Sequence, residues 1–62
     1  MKFIKVFNNI INGETYINVD AIESVFSRDN ITHISPLDSS CGFWEVCESV
    51  DEIMRKIQEA ET

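Results

Sequence analysis

Between Phe43 and Ile57 the chain reads FWEVCESVDEIMRKI, and the period of its apolar residues changes within two positions. Phe43-Trp44-Glu45-Val46-Cys47 alternates and is aromatic and β-branched, which suits a half-buried strand, whereas Val50, Ile53, Met54 and Ile57 recur at the spacing of one helix face. The switch falls at Ser49. Ser49-Val50-Asp51-Glu52 has the form of a capping box, in which the Ser49 hydroxyl accepts the Glu52 amide hydrogen and the Glu52 carboxylate reaches back to the Ser49 amide. Asp51 and Glu52 sit at the positive end of the helix dipole, and Asp51 with Arg55 and Glu52 with Lys56 stand four residues apart in the favourable order. A helix is therefore expected from Val50 to about Ala60, entered directly from a strand.

Everything before Phe43 reads as strand and turn. Met1 to Asn8 has apolar residues on both parities, Phe3 and Phe7 on one side and Ile4 and Val6 on the other, and Lys2 and Lys5 suggest an edge position. Asn8-Asn9 and Asn12-Gly13 bracket Ile10-Ile11, and Asn-Gly is a strong hairpin signal, so the chain is expected to turn back into a strand from Glu14 to Asn18. Asn18 or Asp20 caps a single short turn before Ile22 to Ser27 resumes an extended path. Arg28-Asp29-Asn30 is turn-prone and leads into Ile31 to Ser35, which Pro36 ends. Leu37 to Gly42 is a polar loop before the last strand, Phe43 to Glu48. The prediction is one α+β domain spanning residues 1–62, an antiparallel meander of four or five short strands with the C-terminal helix packed on it. A small curled barrel capped by the helix is the alternative.

Sixty-two residues bury only about 60% of the surface that the unfolded chain exposes, so the core is thin. A composition of 44% hydrophobic and 26% charged residues belongs to a folded domain. Eleven acidic residues against five basic ones give a net charge of −6, which repels phosphate backbones, so no direct contact with nucleic acid is expected. Apolar runs are too short for membrane insertion, and MKFIKVFNN lacks the continuous apolar core of a signal peptide, so a cytoplasmic location is expected. There Cys41 and Cys47 stay reduced.

Little chemistry is encoded. His33 is the single histidine, and His33 with Cys41 or Cys47 is the one nucleophile–base pair on offer. Register decides its geometry: with Pro36 opposite Phe43, Cys47 points away from the face of His33, and a slip of one residue brings the two to the same face. The same three residues are the soft metal ligands, at irregular spacing and without a fourth, which is not the pattern of a structural zinc site. Gly13 and Gly42 stand alone, so no phosphate loop is present. No catalytic residue, metal or cofactor is expected, and the chain reads as non-enzymatic. Its scattered acidic residues suit a solvated surface, with mimicry of nucleic-acid phosphates toward a nucleic-acid enzyme as the alternative function.

Ile11-Asn12-Gly13-Glu14, Ile17-Asn18-Val19-Asp20-Ala21-Ile22 and Val46-Cys47-Glu48-Ser49-Val50-Asp51-Glu52-Ile53 together resemble the small FlbD/SwrD flagellar-motility proteins and similar short proteins of mobile elements. The likeness runs from about Ile11 to Ile57 and rests on turn, core and cap residues. The chain departs from that family at Cys47, typically a lysine there, and in the length of the Leu37–Gly42 loop. The resemblance implies a small non-enzymatic accessory protein and, for the FlbD/SwrD members, support of flagellar function; no catalytic residues are carried over, and a protein–protein interaction or accessory role is the function expected.

A helix of eleven residues is about 16 Å long and covers one face of a sheet. With apolar residues on both parities of the first strand, the second face needs a cover, and a homodimer is expected, with Phe3 or Phe7 lining the contact; an unknown protein partner is also expected. Trp44 is a further candidate interface residue: it is either core or an exposed anchor.

Overall fold

The structure, a computed structural model, describes residues 2–38 and 40–61. Met1, in the expected first strand, and Ser39, in the expected last loop, lie outside the described residues. The chain forms β1 (Phe3–Asn8), β2 (Gly13–Asn18), a 3-10 turn (Val19–Ala21), β3 (Ile22–Arg28), β4 (Ile31–Pro36), β5 (Trp44–Val46) and α1 (Val50–Ala60). All strand pairs are antiparallel, and the five strands make one sheet in the order β2-β1-β5-β4-β3. This is the α+β arrangement expected, and the sheet is not closed into a barrel.

Two hairpins are local, and their turns follow from residues that tolerate positive φ. Asp29 and Asn30, at φ 54° and 65°, form the two-residue link of β3 to β4, with Arg28 opposite Ile31. That backbone matches the twist of a hairpin, and Asp and Asn adopt it at low cost. The first hairpin is built differently from the Asn-Gly turn expected. Asn8 pairs with Gly13, leaving Asn9 to Asn12 as a four-residue loop, and of the two residues Asn12 and Gly13 it is Asn12 that takes positive φ, at 56°. Asn8 holds the loop: its Oδ1 accepts the amides of Ile10 (2.9 Å) and Ile11 (3.4 Å) while the residue itself is buried. An asparagine that satisfies its own turn in this way is a stable buried polar residue.

The hairpins meet through β5, which pairs with β4 on one side and, at Val46 opposite Asn8, with β1 on the other. So β1 lies inside the sheet, and Lys2 and Lys5 do not guard an edge. Lys5 Nζ instead lies 3.5 Å from Glu14 on β2, and Lys2 Nζ donates to the Glu61 carbonyl at the end of α1, 3.3 Å away, where the helix dipole favours a cation. Beyond Val46 the chain turns off into the helix, and the ladder is continued by a side chain. The Glu48 carboxylate accepts the Phe7 amide with both oxygens, at 3.2 and 3.1 Å.

This order imposes a curl. The link from β2 to β3 joins the two edges of the sheet, which in a flat sheet would stand about 19 Å apart, four gaps of about 4.8 Å. Four residue steps from Asn18 to Ile22 reach at most about 15 Å. The sheet must therefore bend until its edges approach at that end. Two hydrogen bonds fasten the link there, Val19 N to the Lys2 carbonyl and Leu37 N to the Ala21 carbonyl, each 2.9 Å. Val19 itself is buried with Ile4, Val6, Ile17, Ile34, Val46 and Ile53, so the bend is toward the side that holds the core.

The helix closes that side. It packs against β1 and β3, with Ile53 fully buried and Ile57 and Ala60 seated on the core, while Met54 is half exposed at the margin. Ser49 is its N-cap: backbone extended, hydroxyl accepting the Glu52 amide at 3.2 Å.

Candidate interaction surface

Strand pairing divides the side chains between two faces, because partners directly opposite share a side. Asn8, Val46, Thr32 and Ser27 are linked through successive pairs, and the first three are buried toward the helix. The other parity faces outward: Phe3, Lys5 and Phe7 on β1, Glu14 and Tyr16 on β2, Glu45 on β5, His33 on β4 and Phe26 on β3. The helix α1 packs on the opposite side of the sheet.

Two groups of rings result. Phe26 and His33 are cross-strand partners and stack with centroids 5.2 Å apart and planes 7° from parallel. Phe43, just before β5, meets both edge-on at 5.7 and 6.1 Å, the geometry that the ring quadrupole favours. His33 Nδ1 lies 3.0 Å from the Ile31 carbonyl, within hydrogen-bond distance. On the other half of the face, Phe3 and Phe7 are exposed on either side of Lys5, and Tyr16, opposite Lys5, is 66% exposed. The charges between the rings are few and partly paired, as in the Lys5–Glu14 contact.

The candidate residues fall as follows. Phe3 and Phe7 are on the outward face and exposed. Trp44 points the other way: it is opposite buried Ile34, half-buried, and packed against the core. Ser49 caps the helix through Glu52 N. The register of β4 and β5 places His33 opposite Glu45, shifted by one residue from the register with Pro36 facing Phe43. Cys47 lies past the end of β5, where its amide donates to the Phe7 carbonyl at 3.0 Å and it borders a depression with Thr32, Val46, Ser49 and Asp51. Cys41 is exposed in the β4–β5 loop. Among the described residues no group of three or more His, Cys, Asp or Glu side chains is placed to hold a metal ion, and no helix is long and apolar enough to cross a membrane.

The β4–β5 loop is held by Asp38. Its Oδ1 accepts from the Ser40 hydroxyl (2.7 Å) and the Ser40 amide (3.0 Å), and its carbonyl accepts from Cys41 N (3.0 Å). The Ser40 hydroxyl first, then the Ser40 amide, hold the Asp38 carboxyl below its ordinary value of 3.8 by stabilising the charged form.

The Phe26–His33–Phe43 cluster was open to sequence reasoning through one signal. Reading Asp29-Asn30 alone as a two-residue turn sets Arg28 opposite Ile31 and so Phe26 opposite His33; a three-residue turn over Arg28–Asn30 hides the pair. Comparison of the chain with protein-family models, with curated proteins and with solved structures finds no match in any of the three.

Proposed function

We propose that this protein is a small, non-enzymatic, cytoplasmic interaction module that self-associates as a homodimer and presents the outward face of its sheet to a protein partner. One observation carries the reading: Phe3, Phe7, Tyr16 and Phe43 are exposed on the side of the sheet opposite the helix. Large rings left in water on one side of a small domain mark a contact surface, because soluble proteins seldom keep such area open. Aromatic residues with few charges between them also suit the centre of a protein contact, where charge is depleted. Self-association fits the thin core of a chain this short. The likeness of the Ile11–Ile57 stretch to FlbD/SwrD proteins supports an accessory role.

The experiment is capture of binding proteins from host cells by tagged wild type and by Phe7→Glu in parallel. The reading expects a partner held by the wild type at high salt and lost with Phe7→Glu, while the variant keeps its circular dichroism. A partner retained equally by both overturns the face as the contact. Capture of a nuclease that washes off with salt would favour acidic mimicry instead.

A further inference from the structure

We infer that two copies of this chain join edge to edge through β2, about a two-fold axis through Tyr16, to make one continuous ten-stranded sheet. The inference rests on the self-association proposed above and assigns it a surface. Phe7 supplies the starting point. Its carbonyl accepts Cys47 N and its amide donates to Glu48, so both of its backbone groups point away from β2. Within a strand the direction of these groups alternates. It is therefore Ile4, Val6 and Asn8 that bond to their partners Ile17, Thr15 and Gly13, and the amides and carbonyls of Glu14 and Tyr16, with the Asn18 amide, face out from the free edge of β2, the Asn18 carbonyl being taken by the 3-10 turn that Asn18 caps.

That edge is unguarded. Natural sheets protect their edges with lysine, proline, bulges or a covering element. β2 reads GETYIN, pairs with β1 in unbroken register over all six residues, and carries one charge, Glu14, already beside Lys5. The opposite edge is different. β3 has a register shift between Ile22 and Ser24, carries Glu23 and Arg28, and lies against α1 along a groove bordered by Val25, Met54 and Ile57.

The edge is also complementary to itself. Placing Tyr16 opposite Tyr16 of the second copy sets Glu14 opposite Asn18 and Asn18 opposite Glu14; Glu14 and Tyr16 each offer an outward amide and carbonyl, and Asn18 offers its amide. The tyrosine pair closes with two bonds and each flanking pair with one, from the Asn18 amide to the Glu14 carbonyl. No like charges meet across it, and the two tyrosines, each largely exposed in one chain, come together on the outward face. On the helix side Thr15 meets Ile17. Because the axis stands perpendicular to the sheet, both outward faces lie on the same side of the dimer. Phe3 and Phe7 sit one strand in from the seam and stay free for the partner. A seam this short buries less than a standard interface, so the dimer is a reversible, concentration-dependent one.

The test is light scattering behind size exclusion over a concentration series, with Tyr16→Pro and Phe7→Glu as variants. Proline removes an amide that the single chain does not use and is tolerated at a sheet edge on that side. The expected result is a mass that rises from one chain to two in the wild type and in Phe7→Glu, and loss of the two-chain species in Tyr16→Pro with circular dichroism unchanged. Hydrogen exchange on the wild type supplies a second reading: the Glu14, Tyr16 and Asn18 amides slow as concentration rises, and those of Thr15 and Ile17 do not change. One-chain mass at every concentration refutes self-association altogether. Two-chain mass that survives Tyr16→Pro but collapses in Phe7→Glu refutes the edge and leaves self-association standing. If Tyr16→Pro does not fold, edge amides that exchange at the same rate at all concentrations overturn the proposal on their own.

Discussion

Removing one hydroxyl should measurably weaken the whole domain. Ser49 accepts the Glu52 amide at 3.2 Å, which satisfies one of the donors that every helix start leaves without an intrahelical partner. Ser49→Ala is expected to cost about 1 kcal/mol, the usual value for losing an N-cap serine. In most proteins that is a minor loss, but a chain of this size has a total stability of only about 3–5 kcal/mol. The cost cannot stay local, because α1 brings Ile53, Ile57 and Ala60 onto the core, and fraying of its first turn loosens the cover of the whole sheet. With a urea dependence of about 1 kcal/mol per molar, the unfolding midpoint should fall by about 1 M. At this chain length the same loss lowers Tm by about 8 °C. Ser49→Asp restores an acceptor and adds a negative charge at the positive end of the helix, so it should recover most of the loss. Coincident urea midpoints for Ser49→Ala and wild type would refute the reasoning, as would a deficit in Ser49→Asp as large as in Ser49→Ala, since the cap and not the serine itself is claimed to act.

Trp44→Ala should lower stability by about 2–3 kcal/mol, because the indole packs on the core opposite Ile34; a loss below about 1 kcal/mol accompanied by loss of partner binding would return Trp44 to the contact surface. Gly13→Ala should be neutral or stabilising by about 0.5 kcal/mol, since Gly13 has no positive φ and an added Cβ comes no nearer than 3.9 Å to another residue; destabilisation on chemical denaturation would mean that the Asn-Gly step is a true glycine turn. The Asp38 carboxyl should titrate below 3.8 by NMR, and Ser40→Ala should move it part of the way back, the Ser40 amide remaining. Its folded value is the lower one, so its stabilising contribution is present above about pH 4 and is lost as pH falls through the folded value; an unchanged titration in Ser40→Ala would remove the hydroxyl as the cause.

What could be read in the sequence, and what could not, follows the range of the interactions. The helix was legible because its signals sit within one turn of one another: Ser49, Asp51 and Glu52 at the start, then Ile53 and Ile57 on one face. The β3–β4 hairpin was legible as an element, since its turn residues lie between two β-rich runs. The insertion of β5 between β1 and β4 was not. It joins residues nearly forty positions apart, Asn8 and Val46, through a single residue pair and a side chain, Glu48, that finishes the ladder. No local pattern announces such a pairing, and only the shortness of the Val19–Ala21 link, once the order is known, shows that the sheet has to curl. The outward face was half legible. Phe3 and Phe7 follow from the alternation of β1, whereas the ring cluster depends on the length assigned to one turn.

The register of β4 against β5 was undecided by turn geometry, yet the alternation of the two strands contains the answer. Setting Pro36 opposite Phe43 places Ile34 against Glu45 and would bury a carboxylate beside an isoleucine, at a cost of several kcal/mol without a partner. Sliding by one residue sets Ile34 opposite Trp44 and Thr32 opposite Val46, so that apolar residues meet on the core side and Glu45 meets His33 on the outward side, as observed. Burial of one face selects register because the side-chain period is two. The same rule separates the two edges of this sheet. β3 must serve the core on one side and the Phe26 stack on the other, so its register is pinned by packing within the chain. In β2 the groups on the free edge are the backbone amides and carbonyls of Glu14 and Tyr16 and the Asn18 amide, which face away from β1, so packing within the chain leaves them to a second strand in the dimer proposed above.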